Sequence, residues 1–395
     1  MIFAISIPFD KDITKSIGIA MLVFWILEGN FKFKIEALSR SNVAIFFLLF
    51  IAYNYISILW SNYPLEAYFY ASKYWYYLPF VIIFTSIKKD FIKYALVFFL
   101  IGFFVSEIIT YGIFFDFWTT SYNQFRKSPS PTAFMSHTIY SSIQAFVALL
   151  TLNKAILSKN KPIKSFLFSF YLFIIISLFI SGGRTGLVPF VVVQIFMFIF
   201  LYKLPLKKIL ITFTIIVASF SLSYINIDYV KQRTDHGYND INKIINNDYT
   251  SSFGIRIAMF ITGLQIANDN ILFGVGIKDN LDEMIRYSEQ NKKYDFSHLN
   301  EYHKWHFHNQ YIDILTQLGI IGLFIFLGIF YQVLKLTVAD KEMNNIKYIF
   351  VFCVLFGIIS SDLFHQKHYI YLISLFMGLL LAQNKHENQE NALGQ

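Results

Sequence analysis

Residues 165–202 read SFLFSFYLFIIISLFISGGRTGLVPFVVVQIFMFIFLY and carry a single charged side chain, Arg184, beside a Gly-Gly pair. A helix that crosses a bilayer needs about 20 apolar residues, with about 17 as the lower limit. Glycine tolerates the backbone angles of a sharp turn. The stretch therefore predicts two spanning helices, Ser165–Ile180 and Gly186–Tyr202, joined by a tight turn.

Similar apolar runs recur through the 395-residue chain, which is 56% hydrophobic and only 15% charged. A soluble domain carries about 25% charge, so the composition excludes an ordinary soluble enzyme and a disordered chain. We predict an all-α polytopic membrane protein with about twelve transmembrane helices. The other predicted apolar cores are a short one at Ile2–Pro8 and Ser16–Leu27, Val43–Trp60, Ala67–Ile87, Tyr94–Phe115, Ser136–Asn153, Ile209–Ile225, Ile320–Leu334, Tyr348–Ile359 and Tyr369–Ala382.

The distribution of positive charge predicts the orientation. With Ile2–Pro8 taken as a span, the loops on one side carry 17 lysines and arginines, and the short loops on the other side carry six. Cytoplasmic loops are the lysine- and arginine-rich ones. Twelve spans with both ends inside fit this bias, and eleven spans with the N-terminus outside fit the later loops equally well. The net charge of +8 is therefore a topology signal and predicts no nucleic-acid surface.

One connection is much longer than the others. Residues 227–308 hold 9 Lys/Arg, 11 Asp/Glu and five of the nine histidines. We predict a helical periplasmic loop there, between a bundle of about nine spans over 1–226 and about three spans over 309–382. The remainder, 383–395, is a polar cytoplasmic tail that we expect to be loose.

Three motifs lie on the predicted outer side. Ser181-Gly182-Gly183-Arg184 opens a helix whose N-terminal N–H groups suit a phosphate. Arg256 lies early on a stretch, Ser252–Ala267, that Ser251 or Ser252 would cap, and the exit of this stretch is Leu-Phe-Gly-Val-Gly over 272–276. His306-Phe307-His308-Asn309-Gln310-Tyr311 leads into a span, and a neutral histidine can accept a hydroxyl proton.

Each motif also has an alternative explanation. Arg184 could contact lipid headgroups, and Arg256 could be a solvated surface residue. The histidines near His308 could anchor the chain at the interface or bind zinc, but no cysteine and no His-Glu-x-x-His motif accompanies them. Asp10 and Asp12 fit helix capping better than metal binding.

Lys73 and Glu107 are ionisable residues inside predicted spans, at similar depths from the outer end. Charges at that depth are costly when unpaired. We expect the two to form an ion pair, with a role at the substrate headgroup as the alternative.

The three motifs, in this order around a long outer loop, resemble the O-antigen ligase family, which includes O-antigen ligases, surface-polysaccharide polymerases and some protein glycosyltransferases. The resemblance covers about Ser165–Leu336. It implies a GT-C-type helical fold, a glycan donor on undecaprenyl pyrophosphate, a lipid A-core acceptor, and transfer without a metal or other cofactor. His308, Arg184 and Arg256 then correspond to the family's catalytic residues.

The further expected substrate-binding residues are Ser181, Gly183, Asn309, Tyr311 and His306 in these motifs, and Arg126 in an earlier loop on the predicted outer side. The resemblance therefore implies an O-antigen ligase of the bacterial inner membrane whose active site faces the periplasm, with membrane lipids and no nucleic acid as other partners. A polymerase or a protein oligosaccharyltransferase is the alternative within the family. A flippase or transporter fits less well, because the sequence shows neither inverted repeats nor broken helices with midplane charges.

Overall fold

The computed structural model describes residues 1–117, 131–226, 228–291 and 306–393, and within them every regular element is a helix. Its α-helices are α1 (Ile2–Ser6), α2 (Lys11–Leu27), α3 (Phe31–Ser39), α4 (Asn42–Ile56), α5 (Pro64–Ala71), α6 (Leu78–Ser86), α7 (Lys89–Phe114), α8 (His137–Leu157), α9 (Lys161–Ile180), α10 (Arg184–Phe196), α11 (Leu206–Asn226), α12 (Asp228–Ile245), α13 (Ser252–Asp269), α14 (Asn280–Asn291), α15 (Gln310–Lys335), α16 (Lys341–Gly357) and α17 (Lys367–Leu393). Short 3₁₀ segments at Ser57–Trp60 and Ser72–Tyr77 and a π-turn at Met197–Leu201 adjoin α4, α5 and α10.

Two helices form the centre of the bundle. In α8 nearly every residue from Ile139 to Asn153 is buried, and in α17 every residue from His368 to Gln383 is buried. The surrounding helices α4, α9 and α15 instead expose large apolar side chains on one face, as helices that contact lipid do. The buried centre and apolar exterior fit a multi-pass membrane protein.

Among the described residues, fewer than twelve helices meet the criteria of length and apolarity for a span. Among the described residues six helices meet them, namely α4 with its 3₁₀ extension, α7, α8, α9, α10 with its π-turn, and α15. A seventh candidate is the pair α2 and α3, which is bent by 113°. The other predicted apolar cores from Ser16–Leu27 onward lie mainly on helices, but those helices are short, interrupted or more polar.

The short core at Ile2–Pro8 does not provide a span. Helix α1 has five residues, about 8 Å at 1.5 Å per residue, whereas the apolar layer is about 30 Å thick. It packs beside α7 at Gly102, where a Cβ would lie 2.3 Å from the Ile5 carbonyl oxygen. The twelve-span expectation fails at this helix, and the eleven-span alternative does not depend on it.

The loops predicted to be cytoplasmic meet at one end of the bundle. There Lys154 forms an ion pair of 2.7 Å with Glu342, and the Glu387 carboxylate accepts hydrogen bonds from the Ala339 and Asp340 amides. His386 contacts the Ile87 carbonyl oxygen at 2.8 Å. Since α17 continues to Leu393 and makes these contacts, the tail expected to be loose is an ordered helical end.

At the opposite end, the segment after α13 inserts into a break in α15. Gly319 has φ 66° and ψ −168°, which interrupts the helix. The amides of Val275 and Gly276 donate to the Thr316 and Gln317 carbonyl oxygens at 2.9 and 3.1 Å, and the Ile320 amide donates to Ile271 at 2.8 Å. The break therefore fixes the segment that follows α13 to a membrane helix.

Candidate functional site

His308 lies immediately before α15, in a backbone conformation uncommon for a residue with a side chain. Its φ is 53°. Asn309 caps the helix, with Oδ1 accepting from the amides of Tyr311 and Ile312 at 3.0 and 3.2 Å. The Tyr311 hydroxyl donates to the Leu355 carbonyl oxygen at 2.7 Å, so it ties α15 to α16. Asn309 and Tyr311, expected at the substrate, thus hold the helix that carries His308.

Arg256 approaches His308 because α13 packs closely on the start of α15. A Cβ on Gly263 would lie 2.3 Å from Ile312 and 2.8 Å from Phe307, so only a glycine permits this contact. Arg256 is seven residues earlier on α13 and therefore shares the same face. Ser251 caps α13 by accepting from the Gly254 amide at 3.0 Å, which confirms the capping prediction.

The two histidines here are held in their neutral forms. The rings of His306 and His308 lie 4.4 Å apart, and His306 Nδ1 accepts from the His308 amide at 3.1 Å. Burial, the His306 ring and the positive charge of Arg256 lower the pKa of His308 to about 3. Burial lowers the pKa of His306 as well, with the nearby charges of Arg256 and Lys278 adding to the effect. At neutral pH the His308 imidazole is therefore neutral, and one of its ring nitrogens carries a lone pair.

A hydrogen-bonded group of four side chains lies next to the histidine pair. We call this group the acidic cluster; it consists of Tyr70, Asp313, Asp362 and His365. The Tyr70 hydroxyl donates to Asp313 Oδ2 at 3.2 Å and lies 3.0 Å from His365 Nδ1. That nitrogen is 2.9 Å from Asp362 Oδ1. Burial raises the pKa of Asp362, but its hydrogen bond with His365 and the neighbouring His365, His306 and Lys73 side chains outweigh burial and lower the pKa to about 2. Asp362 is thus a buried carboxylate that faces the histidine pair.

Two lysines complete this region. The ammonium groups of Lys73 and Lys278 lie 5.2 and 5.3 Å from the centre of the Tyr70 ring, within the range of cation–π attraction. Lys278 is placed by its own amide, which donates to Gln317 Oε1 at 2.9 Å. With Arg256 they give the region three positive charges beside the two carboxylates of the acidic cluster.

The expected ion pair between Lys73 and Glu107 is wrong for the described structure. Glu107 is fully buried, and its Oε1 accepts from Gln144 Nε2 at 2.9 Å instead. Lys73 lies on the 3₁₀ segment Ser72–Tyr77, where Asp362 and Asp313 are its acidic neighbours. A neutral amide thus satisfies the carboxylate in part, and the lysine lies beside the acidic cluster instead.

The glycine-rich turn before α10 is built on α8. Gly182 has φ 63°, and a Cβ on Gly183 or Gly186 would lie about 2 Å from Ser141 (2.1 and 2.0 Å). Ser181 is buried, and its hydroxyl donates to Gln144 Oε1 at 3.1 Å. The sequence predicts Ser181 and Gly183 at the substrate. In the structure these two residues position the turn.

Arg184 itself is exposed at the start of α10, with its guanidinium against Gly237 of α12. Helix α12 packs in turn on α13, which carries Arg256. The structure therefore brings Arg256, His306 and His308 together and places Arg184 one helix away from them. Arg126, the remaining expected substrate residue, lies outside the described residues.

No group of three or more His, Cys, Asp or Glu side chains within the described ranges is arranged to hold a metal ion. The positive side chains Arg256, Lys73 and Lys278 suit an anionic ligand instead.

The sequence reasoning missed the acidic cluster and Lys278. Asp313 and Asp362 lie at the edges of apolar runs, and an ionisable residue at membrane depth marks a functional site by default. That rule, applied to Asp313 as it was to Lys73, would have identified the cluster. Tyr70 and His365 carry no such signal, because aromatic residues are common throughout this chain.

A comparison with known protein families finds a match in the same part of the chain. Residues 169–327 fit the family model described as O-antigen ligase, a range that includes Arg184, Arg256 and His308. No curated protein matches the chain. The matched family is one of membrane glycosyltransferase-like proteins that act on lipid-linked glycans. Residues 169–327 of this chain thus match the O-antigen ligase family.

Proposed function

We propose that this protein is an O-antigen ligase, which transfers a glycan from undecaprenyl pyrophosphate to the lipid A-core oligosaccharide at the outer face of the bacterial inner membrane. The observation that carries the proposal is the close grouping of Arg256, His306 and His308 inside the family-matched region. Lys73 and Lys278 extend the positive charge beside them. A group of positive side chains next to a neutral histidine suits a reaction in which pyrophosphate leaves and a hydroxyl attacks.

The chemistry needs one bond to break and one to form. The bond between the anomeric carbon and the pyrophosphate oxygen breaks, and its electron pair leaves with the pyrophosphate. The acceptor hydroxyl oxygen bonds to the anomeric carbon, and its proton passes to the His308 imidazole. Arg184 and Arg256 bind the departing phosphates, because a guanidinium offers two parallel N–H donors to phosphate oxygens.

Donor binding would also activate the histidine. The Arg256 charge is one cause of the low pKa of His308. A pyrophosphate that neutralises Arg256 removes this cause and places negative charge near the imidazole, so the pKa of His308 rises. His308 thus becomes an effective base when the leaving group is in place, which limits side reactions with water.

The test is complementation. The gene is expressed in a Gram-negative strain that makes an O-antigen but lacks its own ligase, and lipopolysaccharide is resolved on a gel. A restored ladder, absent with the His308→Asn variant at equal membrane abundance, supports the proposal. Longer lipid-linked chains without transfer to the lipid A-core would identify a polymerase instead. Membrane-inserted protein that restores neither product contradicts both.

A further inference from the structure

A second charged cavity lies at the lysine-rich end of the bundle, far along the helices from the candidate site. Its volume is about 700 Å³, within the roughly 300–1,000 Å³ of small-molecule sites. Arg40, Lys335 and Lys385 line it together with the apolar side chains Phe33 and Phe84. We call it the basic cavity. Its walls combine positive charge with aromatic surface, which is the combination that an amphiphilic anion requires.

One wall of the basic cavity has the character of an interfacial helix. This wall is α3, which turns by 113° from α2 and so runs across the bundle rather than along it. Helix α3 exposes Phe31, Phe33 and Ile35, as interfacial helices do. Lys34 fixes the turn, since it is buried, donates to the Trp25 carbonyl oxygen at 2.6 Å and pairs with Glu28 at 2.8 Å.

The charges in the basic cavity have distinct roles. Lys385 donates to the carbonyl oxygens of Phe84 and Thr85 at 3.0 Å each, which holds it at the cavity wall. Arg40 pairs with Glu36 at 2.6 Å, but both side chains are exposed, so the pair is weak and exchangeable. The first residues of α4, Asn42 and Val43, also line the cavity and add the positive end of a helix dipole.

We propose that the basic cavity binds the phosphate headgroup of an anionic phospholipid, with the acyl chains lying along the apolar faces of α3 and α4. Basic pockets between membrane helices on the cytoplasmic side bind such headgroups. The proposal is independent of the proposed function, because none of its residues belongs to the candidate site.

The test uses the purified full chain in a neutral detergent and measures bound lipid by native mass spectrometry. The probes are phosphatidylglycerol, phosphatidylcholine and soluble glycerol 3-phosphate. We expect phosphatidylglycerol to bind more tightly than phosphatidylcholine. Glycerol 3-phosphate should bind only weakly, because it lacks the acyl chains. Equal binding of the two lipids would overturn the proposal, and tight binding of glycerol 3-phosphate would show a site for a free phosphate ester instead.

Variants locate the lipid. Arg40→Gln with Lys335→Gln should weaken phosphatidylglycerol binding by roughly 25-fold, about fivefold for each charge. The matched control is Lys161→Gln with Lys164→Gln, which removes two exposed charges of α9 at the same end of the bundle. If both double variants lost phosphatidylglycerol binding to the same extent, the effect would come from general surface charge, and this would contradict the proposed site.

A variant of unchanged charge guards against a folding defect. Ala37 is half-buried and lines the basic cavity. Ala37→Trp fills the space and should abolish the preference for phosphatidylglycerol while the thermal midpoint in detergent stays near that of the unmodified chain. A folded Ala37→Trp protein that retains this preference would place the lipid elsewhere and overturn the proposal.

Discussion

At the scale of single residues, His308 combines a left-handed backbone with a partly buried imidazole. Asparagine tolerates this backbone better than most residues, so His308→Asn removes the imidazole with little added strain. We expect transfer to fall by about 100-fold or more, the range for loss of a general base. Donor binding should persist, because the arginines remain. Purified His308→Asn protein with an unreduced transfer rate would contradict the assignment.

Arg184 and Arg256 are expected to act through their planar N–H donors rather than through charge alone. Arg184→Lys and Arg256→Lys keep the charge but lose the bidentate geometry, so each variant should retain little transfer activity. The matched control is Arg286→Lys on α14, where the arginine is exposed and pairs with Glu283. Transfer rates measured in membranes at equal protein abundance should separate the first two variants from the third. Full activity in either Arg184→Lys or Arg256→Lys would remove that residue from the site.

The ionisation of His308 gives a pH test. Its folded pKa of about 3 lies below the usual 6.5, so the unfolded chain gains a proton that the folded chain resists. This group therefore lowers stability as the pH falls from about 6.5 toward 3. In ¹⁵N-histidine spectra, with His308→Asn used for assignment, we expect a neutral ring from pH 8 to 5. Farnesyl pyrophosphate should raise the midpoint. A midpoint near 6.5 without ligand would contradict the structure.

At this scale the sequence predicted the motif residues more readily than their contacts. Arg184, Arg256 and His308 stand in recognisable patterns, but the patterns contain no distances. The same motifs also contain residues that hold the backbone in place, namely Asn309, Tyr311, Ser181 and Gly183. Only the packing of helices distant in sequence separates a residue that builds the site from one that faces the ligand.

At the scale of elements, the break in α15 depends on one glycine. The angles of Gly319 are accessible essentially to glycine alone, and a Cβ would lie 2.2 Å from the Leu272 carbonyl oxygen. Gly319→Ala should therefore destabilise the protein by about 1–3 kcal/mol or more. The control is Gly357→Ala, whose Cβ would meet its nearest atom at 3.4 Å. Thermal unfolding in detergent should show a lower midpoint only for Gly319→Ala, and equal midpoints would contradict the prediction.

Apolar length predicted where helices lie better than how they are interrupted. Val43–Trp60 and Tyr94–Phe115 coincide closely with α4 plus its 3₁₀ turn and with α7. The break at Gly319 leaves no gap in hydropathy, because the backbone groups that it frees bond to residues 271–276. The predicted span at Ile2–Pro8 is wrong for a related reason, because an apolar run can be buried in the protein without crossing a membrane.

At the scale of the whole molecule, the sidedness of the bundle remains a prediction from charge. The lysine-rich loops share one end, and cytoplasmic loops are the positive ones. Reporter fusions at Lys159 and Asn291 should therefore indicate opposite sides of the membrane, with Lys159 inside. Both reporters on one side would overturn this topology. The N-terminus is not part of the test, because α1 is too short to cross.

The insertion of residues 271–276 into α15 sets limits on how such proteins can be recombined. These residues and the two halves of α15 around Gly319 share their backbone hydrogen bonds, so neither partner is complete alone. A chimera that exchanges only the outer region 227–308 with a relative would pair a foreign segment with a native helix break. A chimera should instead exchange the whole stretch from α12 through α15, Asp228 to Lys335. If acceptor specificity resides in α12 to α14, only a chimera that exchanges this whole stretch should acquire it.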